Sequence, residues 1–316
     1  MALSKLSGDE QGIILGQLRN TLEPRLVMYF SSVSKELRAL LPLAVQQQLR
    51  TDYEEATALC VKMGMQDCTA LRQKKTVNGA EKGLTAADLA TLAKLGSVLP
   101  ALESLHLFDD SGSAGLDGVS RLAEGLVAGS LPALIFLVLS GMHMDDAGAS
   151  AIAAALGRGA LPRLKHLALD RTALGDAGLV ALAPALRRRP ALQGLSLYGN
   201  PLGDEGLAAL LVPPPLAAAP PPPTGRLTNK LKVLNLGYTQ VTNAGCATLT
   251  AALNSGALPA LEHLYLKGIP ASAAAKAAVD EARAKRGLLT FQGGLVMILS
   301  FCSRLAGKWI VPVSHL

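Results

Sequence analysis

Any chemistry in this chain would have to start from a small set of side chains. Asp204 and Glu205 stand side by side between Gly203 and Gly206, just ahead of a helix-like run. Adjacent carboxylates of this kind could serve as acid and base, or could hold a hard cation. The chain has five histidines, His106, His143, His166, His263 and His315, and four cysteines, Cys60, Cys68, Cys246 and Cys302. No CxxC pair occurs and the histidines are spread along the chain, so the clustered four-ligand pattern of zinc is missing. Gly112 to Gly118, GSAGLDG, is glycine-rich but lacks the lysine of a phosphate-cradling loop. No GxSxG, HExxH, GxxxxGK or GxGxxG stands in a setting that would give it its mechanism. Neither a metal nor another cofactor is expected, nor enzymatic activity.

The elements that would position these residues repeat. LPALESLHL from Leu99, LPALIFLVL from Leu131, LPRLKHLAL from Leu161, RPALQGLSL from Arg189, NKLKVLNL from Asn229 and LPALEHLYL from Leu258 share the frame LxxLxL. With Leu102, Leu134, Leu164, Leu192, Leu231 and Leu261 taken as equivalent, successive steps are 32, 30, 28, 39 and 30 residues. The long step contains VPPPLAAAPPPPTG, residues 212–225, which reads as a polyproline surface insertion. Within each period, LxL puts alternate residues on one face of a short strand, and later leucines such as Leu179, Leu182 and Leu186 recur at helical spacing. One strand and one helix per unit cannot bury their apolar sides alone, so the units must stack into a curved solenoid.

The repeat reinterprets the opening carboxylates. Asp204 is matched in step by Asp146, Asp176 and Asn243, and each is followed by a glycine in step, Gly148, Gly178, Gly206 and Gly245. Asp and Asn suit the first turn of a helix, where a side-chain oxygen accepts an orphan N–H, so each is expected to cap its own helix. The glycines are expected to leave room for helix against strand. Glu205 aligns with Ala147, Ala177 and Ala244, which argues against a catalytic pair.

Composition agrees with a repetitive build. Half of the 316 residues are apolar but only 3% are aromatic, so the interior must be filled by leucine at regular spacing. The net charge of +6 is spread thinly, charged residues making up 17% of the chain, which lacks the dense basic stripe of a nucleic-acid binder. Cysteine usage and a polar start, MALSKLSGDEQ, fit a reducing compartment: cytoplasmic, with nuclear as the alternative.

LQGLSLYGNPLGDEGLAAL, from Leu192 to Leu210, resembles the leucine-rich repeat of the ribonuclease-inhibitor type, LxxLxLxxNxLGDxGxxxL. The likeness runs from about Leu84 to Arg286. It implies an α/β leucine-rich-repeat solenoid, a horseshoe with parallel strands on the concave face and helices outside. The family's turn-bridging Asn is Asn200 here; Asp110, Met142, Thr172, Thr239 and Ile269 take its place elsewhere. Thr and Asp can still hydrogen-bond a turn, whereas the Met142 and Ile269 turns are expected to be looser. A degenerate strand in KKTVNG and the helix-like LTAADLATLAKL make an incomplete first unit.

The chain divides at this stage into a helical N-terminal module, residues 1–60, a solenoid, residues 70–286, and an apolar tail, residues 287–316. The N-terminal module is similar to an F-box in Leu6, Glu10, Ile14, Leu15, Leu18, Leu26, Val33, Ser34, Lys35 and Arg38, with Ser7 where that family has Pro. The resemblance implies contact with a Skp1-like adaptor through Leu6, Glu10, Ile14, Leu15, Leu18, Leu26 and Val33, and a role as a substrate-recognition subunit of a cullin-type ubiquitin ligase. The competing reading is a plain helical cap on the open end of the solenoid. The tail is too interrupted to span a membrane and reads as a capping strand, an interfacial anchor or an unrelated extension.

Strand alternation points Ser104, His106 and Phe108 into the hollow, then Phe136, Val138 and Ser140, then His166, Ala168 and Asp170. Gly194, Ser196 and Tyr198 follow, then Val233, Asn235 and Gly237, then His263, Tyr265 and Lys267. The expected contact set for a protein partner is His106, Phe108, Phe136, His166, Asp170, Ser196, Tyr198, Asn235, His263, Tyr265 and Lys267. An enclosed small-molecule pocket is not expected on an open horseshoe. The function expected is non-catalytic protein binding, by a ligase subunit or by a scaffold or inhibitor without a ligase link. A GTPase-activating protein is the further alternative, since one such family uses this repeat.

Overall fold

The computed structural model describes Tyr29 and residues 43–109, 111–115, 117–189, 191–211 and 230–286. The F-box-like positions Leu6 to Val33, the Pro-rich insertion and the 287–316 tail lie outside the described residues.

Each strand is three residues long, because only the LxL core of the frame has the two-residue alternation. The strands are β1 (Thr76–Asn78), β2 (Ser104–His106), β3 (Phe136–Val138), β4 (His166–Ala168), β5 (Gly194–Ser196), β6 (Val233–Asn235) and β7 (His263–Tyr265). They form one parallel sheet in sequence order. The central residues Val77, Leu105, Leu137, Leu167, Leu195, Leu234 and Leu264 pair directly from strand to strand, and none is more than 4% exposed. The expected leucine column is therefore continuous, and β1 extends it into the degenerate first unit. Burying a leucine side chain contributes about 1.5–3 kcal/mol, so this row and its neighbours dominate the stability of the stack.

The helices follow the strands: α3 (Ala86–Lys94), α4 (Gly118–Gly125), α5 (Asp145–Gly157), α6 (Asp176–Arg187), α7 (Asp204–Leu211), α8 (Asn243–Asn254) and α9 (Ala273–Ala284). Ahead of β1, α1 (Leu43–Lys62) and α2 (Cys68–Gln73) add Ala56, Leu59, Cys60, Met63, Cys68 and Leu71 to the same core. Lys62 Nζ meets Asp88 Oδ2 at 2.6 Å, and Lys94 bridges to Asp52 and Glu55 at 3.3 and 3.1 Å. These two helices cover the first face of the solenoid core, which an unstacked repeat would leave open.

The periodic carboxylates do not cap their own helices. Asp176 Oδ1 accepts from the backbone N–H of Gly203 at 2.7 Å and of Gly206 at 2.9 Å, both at the start of α7 in the next repeat. Asp146 accepts from Gly175 N at 2.9 Å, Asp204 from Thr242 N at 2.8 Å and from the Thr242 hydroxyl, and Asn243 from Ser272 N at 2.7 Å. Each residue thus stitches its repeat to the following one. Own-helix caps come from other residues: Thr85 in a capping box with Asp88, Asp145, Thr242 and Ser272. The in-step glycines follow from the same geometry. A Cβ on Gly206 would stand 2.7 Å from Asp176 Oδ1, and one on Gly178 would stand 2.5 Å from Asp146 Oδ1. Gly178, Gly206 and Gly245 make room for the carboxylate of the repeat before, whereas a Cβ on Gly148 would meet the Met144 side chain.

Asn200 bridges its turn as expected, but to two repeats. Its Oδ1 accepts from Thr172 N at 2.9 Å and Leu174 N at 3.1 Å, and its Nδ2 donates to Leu169 O at 2.6 Å and Leu197 O at 2.9 Å. Thr172 and Thr239 donate their hydroxyls to Leu169 O and Leu236 O, while Met142 and Ile269 fill the position as buried apolar groups. Arginines act at the other end of the helices. Arg158 donates to Ala123 O at 2.9 Å, Arg189 to Ala160 O at 2.7 Å, and Arg286 to Leu258 O at 3.0 Å. Orphan carbonyls at a helix end or in the loop that follows gain a cationic donor there, which gives these three arginines a structural use.

Candidate protein-binding face

The concave sheet carries the outward residues of all seven strands. Its floor is fixed by hydrogen bonds that run across repeats. Asp170 accepts from the Ser196 hydroxyl and from Tyr198 N at 3.2 Å, Ser196 Oγ accepts from Asn235 Nδ2 at 3.2 Å, and Asn235 Oδ1 accepts from Gly237 N at 3.0 Å. Ser196 and Asn235 are 2% and 4% exposed, so they hold the floor rather than present contacts. Burial pushes the Asp170 carboxyl above its ordinary range, against the pull of its two donors.

Phe136 and His166 stack with ring centroids 4.4 Å apart and planes 6° from parallel. Glycine at 194 is what admits this arrangement, because a Cβ there would lie 2.5 Å from His166 Nδ1. The desolvated imidazole, close to the Lys165 ammonium, has its pKa lowered from 6.5 to about 4 and is neutral at physiological pH. His106 shares its Nε2 with the Ser104 hydroxyl at 2.7 Å and is also lowered by burial. His263 and Tyr265 stack at 6.3 Å on the far side.

Between these walls, over the small residues Ala168 and Gly194, the sheet has a depression of about 320 Å³ reaching from β3 to β7. Large rings beside glycine and alanine hollow the sheet here into a shallow depression that stays open to solvent. Of the expected contact set, Phe136, His166, Ser196, His263 and Tyr265 line this depression. Phe108, Asp170, Tyr198 and Lys267 lie toward the C-terminal ends of the strands, and His106 lies on β2 beside the edge strand β1. Two residues there were missed from sequence. The Arg171 guanidinium lies 5.5 Å from the Phe108 ring centroid, and Tyr238 meets Tyr198 edge-on at 5.2 Å. The aligned glycines at 141, 199 and 268 would have exposed the position, since Arg171 and Tyr238 interrupt them.

Elsewhere the reactive groups are quiet. Cys60 Sγ lies 3.8 Å from Cys68 Sγ, and burial together with that neighbour pushes the Cys60 thiol up to about 12, which makes it a packing group rather than a nucleophile. Among the described residues no group of three or more His, Cys, Asp or Glu is placed to hold a metal ion. No helix among them is long and apolar enough to cross a membrane.

The Leucine Rich repeat family model matches residues 161–183, 192–211 and 229–249, the units that contain β4, β5 and β6, so the chain carries leucine-rich repeats. No curated protein matches the sequence. Among solved structures the chain is similar to one described as Leiomodin-1 Actin-Binding Site 2 (ABS2), at 15% identity and a TM-score of 0.35, over 70% of this chain and 94% of that one.

Proposed function

We propose that this leucine-rich-repeat chain works without catalysis, by binding another protein on its concave face. One observation carries the reading: a sheet whose floor is locked by cross-repeat hydrogen bonds presents Phe136 and Tyr265 at a shallow depression, with Phe108 and Tyr198 toward the C-terminal ends of the strands. Rigid aromatic anchors on a preorganised surface lose little entropy on binding, and Tyr is among the residue types that dominate interface energies. Of the adjacent carboxylates Asp204 and Glu205, Asp204 is engaged by the backbone N–H and hydroxyl of Thr242 in the next repeat. Affinity capture with the full chain, compared with a Tyr198→Ala/Tyr265→Ala variant, tests the reading. Loss of a captured protein from the variant supports it; equal capture by both places the contact elsewhere.

A second reading concerns the N-terminal segment. Helices α1 and α2 already cover the N-terminal face of the core. The F-box-like frame from Leu6 to Val33 supports a separate task, contact with a Skp1-like adaptor in a cullin-type ubiquitin ligase. Co-purification of the full chain with such an adaptor, and its loss on Ile14→Asp/Leu15→Asp, is the expected result. Absence of the adaptor from the wild-type preparation removes this reading and leaves a scaffold or inhibitor.

A further inference from the structure

The sheet stops at β7 with its repeating rows unfinished. Leu107, Leu139, Leu169, Leu197 and Leu236 each stand two positions after the column residue of their strand, and none is more than 1% exposed. Leu266 is next in the row and is half-buried. The backbone breaks at the same place. Leu197 N donates to Asn235 O and Leu236 N to Tyr265 O, each at 2.9 Å, while among the described residues no backbone acceptor is paired with Leu266 N. Two residues on, Gly199 N donates to Gly237 O at 2.8 Å and Tyr238 N to Lys267 O at 2.7 Å, and the amide next in that row is that of Gly268. An open strand edge with apolar surface beside it is a template for another strand.

The sequence beyond Arg286 continues the frame. Leu258, Leu261 and Leu266 recur thirty residues on as Leu288, Phe291 and Val296, the same step that separates Leu231 from Leu261. The column position alone departs, with Gly294 thirty residues after Leu264. Spacing from the preceding helix is kept as well: residues 255–262 join α8 to β7, and residues 285–292 join α9 to position 293. Arg286 donates to Leu258 O at 3.0 Å, which pins the end of α9 beside the loop that enters β7. The chain therefore passes beyond the described residues at the end of the sheet where a following strand has to start. The stitching between whole repeats, in contrast, stops here. Asp176, Asp204 and Asn243 each reach forward to the start of the next helix, and thirty residues after Asn243 stands Ala273, which has no polar side chain to reach with.

We propose that residues 288–296, LLTFQGGLV, add one closing strand to β7, parallel to it and with Gly294 opposite Leu264, so that Phe291 and Val296 cover the end of the leucine core. The segment takes the edge that a partner's strand or a second copy of this chain would otherwise find. It also sets Leu295 opposite Tyr265 on the concave face, which extends the wall of the depression beyond β7. The inference does not depend on the protein-binding reading.

Amide exchange in the full chain, read residue by residue by NMR, tests whether the edge is covered. The Leu266 and Gly268 amides are expected to exchange slowly in the wild type, and at least about tenfold faster in a Phe291→Asp/Val296→Asp variant in which the Leu107 and Leu197 amides keep their protection. A second measurement, in a Cys302→Ser background, reads the register. Neighbouring strands lie about 4.8 Å apart, within reach of a disulfide, so Tyr265→Cys with Leu295→Cys is expected to crosslink within one chain on oxidation by glutathione disulfide, and Tyr265→Cys with Val296→Cys is not. Fast exchange at Leu266 in the wild type, protection that survives Phe291→Asp/Val296→Asp, equal crosslinking from positions 295 and 296, or a crosslink between two chains overturns the proposal.

Discussion

Asp176 shows how a residue that looks chemical can be consumed by architecture. Its two charge-assisted bonds to Gly203 and Gly206 join α6 to α7, so Asp176→Ala is expected to cost about 2 kcal/mol in urea unfolding. Gly206→Ala puts a methyl against the same carboxylate and should destabilise as well. The two changes are coupled through one oxygen, so the double variant should lose less than the sum of the singles, and strict additivity would contradict the contact. Asn200→Ala leaves buried backbone groups of two repeats unpaired and is expected to cost about 3 kcal/mol or more. Sequence periodicity placed all of these residues, and the Asn200 bridge was legible. The partner of each aspartate was not, because a period of about thirty residues says where a side chain stands and not to which repeat it reaches.

At the scale of single elements, three-residue strands hold register through one buried column. Leu195→Ala, in the middle of that column, should cost about 2–5 kcal/mol. The column itself was readable from LxL. The depression was not, because it depends on the ring of His166 folding flat against Phe136 over a glycine that the alternation places but does not shape. That packing has a pH signature. The folded His166 protonates near 4 and the unfolded residue near its ordinary 6.5, so the unfolded chain binds the proton first as pH falls. Stability is therefore full above 6.5 and declines as pH drops through the window to 4, with His106 adding in the same direction. His166→Gln should flatten the decline in urea midpoints across that window; an unaltered slope would show that the imidazole is not buried as described.

Across the whole molecule, repeats that touch only their neighbours need closed ends. Here α1 and α2 close one end; the cap and F-box-like readings made from sequence concern residues 6–40, which, Tyr29 apart, lie outside the described residues. Leu59→Ala removes a fully buried side chain from this cover and should destabilise the first repeats more than the last, seen as faster amide exchange in β1 and β2 than in β6. The remaining question for the molecule is which surface meets another protein. The most direct measurement is site-specific photocrosslinking in the full chain, with p-benzoylphenylalanine placed at position 198 on the concave face or at position 180 on the outside of α6. The account predicts a crosslinked partner polypeptide from position 198 and none from position 180. A crosslink from 180 alone would contradict it.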